Sequence, residues 1–114
     1  MTYSDQQVAS YIASNLVPFE WSMGDRESWT HFRANHVIWT PSVGIADHRG
    51  NIHYQSTGFS PPSDFLSALM IGRARCLLAW TRAGEAIREL EAAAAMENSM
   101  TPESLFWLAA AYFF

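Results

Sequence analysis

One thiol, four imidazoles and a set of carboxylates are the side chains best suited to chemistry, and their spacing decides how far each can go. Cys76 is the single cysteine. A thiolate is the reactive form, and Arg73 and Arg75 are the kind of neighbours that lower a thiol pKa. Against this, free cysteine ranks among the most buried residue types and behaves as a small apolar group. Cys76 falls in the middle of a helical pattern, so packing is the favoured reading. No C-x-x-C occurs, and one thiol cannot cycle between dithiol and disulfide within a chain. His31 and His36 are five apart and point to different sides of a helix, while His48 and His53 flank a tight turn. Zinc needs three or four converging ligands, and this spacing does not supply them. All four are read as surface histidines. Glu85, Glu89 and Glu91 read as a solvated helix face, with Glu85 and Arg88 as a weak helical pair. There is no Gly-rich phosphate loop, no nucleophile elbow and no Ser-His-Asp order. The expected sets of catalytic residues, metal ligands and cofactors are therefore empty.

The segment Trp39-Thr40-Pro41 stands apart. An X-Pro bond ahead of a buried strand is a natural place for a cis peptide, which is rare and usually kept for a reason. A cis bond is the expectation at Thr40-Pro41, either as the edge of a groove or simply to fix a turn. A strand-turn-strand pattern follows: Ser42 to Asp47, the turn His48-Arg49-Gly50-Asn51, then Ile52 to Thr57.

The rest of the chain must position these groups. Ser4-Asp5 is a helix N-cap region, and Val8, Ala9, Tyr11, Ile12 and Leu16 recur at helical spacing. Asn15 and Pro18 end this helix. Val17 to Trp21 reads as a short apolar strand, with Pro18 tolerable near its start. Asp25 starts a helix that ends near Asn35. After the hairpin, Pro61 and Pro62 stand ahead of or inside a first helical turn. Asp64 to Arg82 is then a long helix with a wide apolar face, which predicts two neighbours. Gly84 is expected to cap its C-terminus. Glu85 to Met96 is an alanine-rich helix, and Asn98-Ser99-Met100 a loop. Thr101-Pro102-Glu103-Ser104 has cap, N1 proline and early acid, a good helix start. From Leu105 to the end the helix is almost wholly apolar.

At 114 residues this is one domain's worth of chain. Hydrophobic content of 49% and aromatic content of 14% place it with globular rather than disordered proteins. The net charge is −4, and the seven basic residues are scattered arginines. No basic stripe for nucleic acid is present, and nothing favours an anionic membrane surface. No apolar run reaches the roughly 18 residues of a membrane span, and Met1 to Gln7 lacks the regions of a signal peptide. These features together predict a cytoplasmic protein.

Two resemblances cover nearly the whole chain. Tyr3-Ser4-Asp5-Gln6-Gln7-Val8, Val17-Pro18-Phe19, Trp39-Thr40-Pro41, Asp47-His48-Arg49-Gly50 and Gly58-Phe59 resemble, in order, the part of a thioredoxin fold that follows its active site. Residues 1–72 would then be an incomplete thioredoxin-like domain lacking the first strand and the C-x-x-C. The resemblance implies that Pro41 is the cis-proline and that Trp39, Thr40 and Pro41 line a peptide-binding groove. Residues 73–114 resemble one and a half tetratricopeptide repeats, with Ala74, Ala86 and Ala93 where helices approach closely. The order of the two parts is similar to that of bacterial thioredoxin-like proteins carrying such a tail. The fold class implied is α/β with a helical tail.

Phe106, Trp107, Tyr112, Phe113 and Phe114 crowd the last helix, where a following repeat would cover them. A partner or self-association is expected there. Three functions fit the sequence. The first is a redox-inactive thioredoxin-like protein that binds proteins or oligomerises, with no enzyme activity of its own. The second is a fragment of a thiol-disulfide oxidoreductase whose C-x-x-C lies upstream of Met1. The third is an unrelated helical interaction module.

Overall fold

The computed structural model describes residues 5–17, 42–57 and 60–113. Among these, helix α1 (Gln6–Asn15) precedes a two-stranded antiparallel hairpin, β1 (Ser42–Ala46) and β2 (Ile52–Thr57). Helices α2 (Pro62–Ala79), α3 (Ala83–Ala95) and α4 (Thr101–Ala111) follow. The described structure is thus mostly helical with a small sheet. The readings over Val17 to Trp21, Asp25 to Asn35 and Thr40-Pro41 lie almost entirely outside the described residues. Val17 itself is 80% exposed and belongs to no strand.

Local chemistry explains where the elements begin. Asp5 caps α1, its Oδ1 accepting from the amides of Gln7 (3.0 Å) and Val8 (3.2 Å). Such a cap contributes about 1 kcal/mol. Pro62 opens α2 with no amide to lose, and Asp64 puts negative charge in its first turn.

The end of α2 differs from expectation. Gly84 does not cap it but lies inside the first turn of α3. The reversal comes earlier, at Trp80-Thr81-Arg82. The Arg82 amide donates to the Leu77 carbonyl (2.9 Å) and the Thr81 amide to that of Leu78 (3.0 Å). These two bonds form a Schellman motif, with Thr81 at φ 58° where glycine is usual. A threonine carries no sequence signal for that position, which is why the sequence placed the break at the next glycine.

The last helix also starts one position early. Thr101 is its first residue, Pro102 its second, and Met100 holds the cap position without a side-chain bond. Asn98 organises this turn instead. Its amide donates to Thr101 Oγ1 (2.9 Å), and its Oδ1 accepts from the Met100 amide (2.9 Å). Its Nδ2 reaches Ser63 and Ser67 on α2 (2.9 and 2.8 Å to Oγ). The α3–α4 turn is thereby fastened to the start of α2.

Two apolar clusters share α2. Val8, Ile45, Phe65, Leu66 and Leu69 join α1 and the hairpin to its first half. Ile71, Ala74, Leu77, Leu78, Ala86, Leu90 and Ala111 join its second half to α3 and α4. Ala74, Ala86 and Ala93 are each fully buried, as close helix approach requires. Gly72 does the same for the hairpin. A Cβ there would lie 2.5 Å from Ile45 Cγ1 and 3.2 Å from Tyr54 Cβ. Only glycine lets β1 and β2 rest directly on α2.

Candidate functional site

Three groups of side chains rise above simple packing. The first is a polar knot at the hairpin turn. Gly50, at φ 85°, lets the chain double back, and Asp47 Oδ1 accepts from the amides of Arg49 (2.9 Å) and Asn51 (3.0 Å). The register slips between Ile45 and Ala46, whose partners are Tyr54 and Ile52. His53 is the extra residue of this bulge. Its Nε2 lies 2.9 Å from Asp47 Oδ2, and Trp80 Nε1 donates to the same oxygen at 3.4 Å. The His53 ring and the turn amides hold the Asp47 carboxyl well below the usual carboxylate range. His53 is therefore no plain surface histidine, with its side chain 22% exposed and that of Asp47 only 5%. Outside the knot, His48 lies against Trp80 (4.3 Å) and the Arg49 guanidinium over the same indole (4.9 Å).

Cys76 lies one helical turn before Trp80. Burial pushes its thiol up to about 11, the Asp47 charge adds to this, and Arg75 opposes it without prevailing. Cys76 is partly buried against the cluster of α1, the hairpin and the first half of α2. Among the described residues no group of three His, Cys, Asp or Glu is placed to hold a metal ion. His31 and His36 lie outside the described residues.

The second group corrects the reading of α3 as a solvated acidic face. Glu89 is drawn between helices: Arg73 Nη1 of α2 donates to its Oε2 (2.8 Å), and the Tyr11 hydroxyl of α1 donates to its Oε1. Burial, then the bond to Glu89, pushes the Tyr11 phenol far up from its ordinary value. Glu85 pairs with Arg82 (2.8 Å from Nε) rather than with Arg88.

The third group is the outer face of α4. Ser104, Trp107, Leu108 and Ala111 face inward at helical spacing. The opposite stripe is apolar too. Leu105, Phe106, Tyr112 and Phe113 are 51%, 64%, 65% and 91% exposed, with Ala109 exposed between them. Phe106 meets Trp107 edge to face (5.3 Å, 88°). The Arg75 guanidinium sits over Trp107 (4.5 Å) and over Tyr54 (5.9 Å), which links α4 to β2 across α2. Burial, together with the Glu103 charge, raises the Tyr54 phenol.

The sites read from the sequence fall as follows. Trp39, Thr40, Pro41 and Phe114 lie outside the described residues. Phe106, Tyr112 and Phe113 stand in solvent, and Trp107 is half-buried against Arg75. Sequence reasoning missed Glu89, Asn98, Asp47 with His53, and Gly72. Only Gly72, a glycine inside a helical pattern, carried a local signal. No family model matches the chain, nor does any curated protein or solved structure. No described helix is long and apolar enough to cross a membrane.

Proposed function

We propose that the chain is a redox-inactive, thioredoxin-like cytoplasmic protein with a tetratricopeptide-like tail, and that it serves as a protein-docking module. The observation that carries the docking role is the outer stripe of α4. Leu105 and Phe106 on α4, with Tyr112 and Phe113 just past its last residue, stand more than half exposed, and the Tyr112 hydroxyl at their margin donates to Glu91 of α3 (3.4 Å). Soluble monomers rarely expose apolar patches of more than a few hundred Å² without a use for them. Each large side chain left in water forfeits about 1.5–3 kcal/mol of burial. The thioredoxin-like part of the reading is supported by α1 and α2 packing together against one hairpin. The tail is supported by the small residues at the α2–α3 crossing. Redox inactivity is supported by the single cysteine and the lack of a C-x-x-C in the sequence.

The test is photocrosslinking in the cells that make the protein, with a photoreactive residue at position 106, 113 or 88. The docking reading expects protein adducts from 106 and 113 and none from Arg88, which is exposed on α3. Absence of adducts at 106 and 113 overturns it.

A further inference from the structure

We infer that Arg75 and the two aromatic rings beside it form a binding notch for a monocarboxylate with an apolar body. The arginines among the described residues divide by partner and by exposure. Arg73 pairs with Glu89, and Arg82 with Glu85. Arg49 and Arg88 stand in water. Arg75 alone is half-buried with no carboxylate among the described residues in ion-pair range. Taking a charge partly out of water has a cost that an anion offsets. Two rings hold this cation. Its guanidinium carbon lies 4.5 Å from the centre of the Trp107 ring and 5.9 Å from that of Tyr54. Tyr54 comes from β2 and Trp107 from α4, so the notch has α2 as its floor and one wall from each neighbour. A guanidinium resting on aromatic rings keeps its in-plane N–H groups for other partners, and their fork matches a carboxylate two bonds at a time. Among the described residues, no hydrogen bond uses the Arg75 N–H groups, the Tyr54 hydroxyl or the Trp107 indole N–H.

Charge and wall chemistry select the anion. Glu103, in the first turn of α4, acts on the same Tyr54 phenol as Arg75 does, with opposite sign. One cation with one carboxylate nearby suits a ligand of single negative charge better than a phosphate dianion. The walls are aromatic, and Phe106 extends them edge to face from Trp107. An apolar body on the carboxylate finds cover against these rings, where a bare ion finds only the fork. The notch goes beyond the docking role, which the crosslinking at positions 106 and 113 tests separately.

The test is a titration of the full chain with benzoate at constant ionic strength, followed by the tryptophan indole N–H signals in proton–nitrogen correlation spectra. Trp107→Phe assigns the signal of Trp107. That signal is expected to shift to saturation in the millimolar range, while the signal of Trp80, under Arg49, stays in place. Acetate, which lacks the apolar body, is expected to bind more weakly than benzoate. Arg75→Met keeps the bulk, removes the cation and is expected to raise the Kd for benzoate by about tenfold or more. Glu103→Gln is expected to lower it by about two- to fivefold. This second change leaves the arginine and both rings in place, so it reads the charge of the notch even where Arg75→Met unfolds the chain. Failure of benzoate to saturate in both the parent and Glu103→Gln overturns the inference. So does a folded Arg75→Met chain that binds benzoate as the parent does. Tighter binding of phosphate than of benzoate overturns the assignment to a monocarboxylate.

Discussion

At the scale of single residues, Thr81, Asp47 and Cys76 each lend themselves to a direct measurement. Thr81 sits at φ 58° in the turn after α2. Left-handed backbone costs an L-residue about 1–2 kcal/mol, and a β-branched one is the worst case. Glycine relieves this but adds about 0.4–1 kcal/mol of unfolded-chain entropy. Thr81→Gly is therefore expected to raise stability by up to about 1 kcal/mol, measured by urea denaturation. Asp47 titrates below its ordinary 3.8 in the folded chain, so it binds fewer protons there than in the unfolded chain. Its stabilising contribution is complete above that ordinary value and fades as the solution becomes strongly acid. The gap in Tm between the parent and Asp47→Asn is expected to narrow as pH falls from about 5 to 2. Cys76 has the opposite sign. Its folded pKa is raised from 9.0 to about 11, so its contribution is full below pH 9 and is lost between 9 and about 11. Alkylation of the native thiol at neutral pH is expected to be slow, and to speed up on adding denaturant. Equal rates with and without denaturant would rule out the partly buried, protonated thiol.

At the scale of elements, the sequence showed most of what forms and less of how it joins. Val8 to Ile12, the hairpin runs and the apolar repeats of α2 to α4 were legible because their periods are intrinsic to strand and helix. The joints were not. Asn98 works through Ser63 and Ser67, some thirty residues away, and Glu89 through Tyr11 on another helix. Such partners exist only after folding. The exposed stripe of α4 was readable as an excess of apolar residues, whereas its division into inner and outer faces was not. Gly72 provides a direct test of the hairpin's seat. Gly72→Ala drives a Cβ into Ile45 and is expected to cost about 1–3 kcal/mol. The same change in an Ile45→Ala background is expected to cost less. Equal penalties in the two backgrounds would mean that the hairpin is not held as described.

At the scale of the whole molecule, the two apolar clusters meet along one helix. Because α2 supplies the wall of both, neither can dissolve without stripping the other. Val8→Ala, in one cluster, and Leu90→Ala, in the other, are expected to lower one shared unfolding transition. The Leu90 change is expected to cost about 2–5 kcal/mol. Coincident curves from far-ultraviolet dichroism and tryptophan emission would show this, and two separated steps would refute it.

The guanidinium of Arg75 gives the molecule one more property. Phe106 leans on Trp107, Trp107 on Arg75, Arg75 on Tyr54, and Tyr54 stands across the ladder from Ile45. These ring and cation neighbours lead from a solvent-exposed side chain to the strand pair. An occupant of the last helix is therefore expected to steady the hairpin as well. Assembly is expected to slow amide exchange in β2 as well as in α4. Arg75→Met, which keeps the bulk and removes the cation, is expected to confine the slowing to α4.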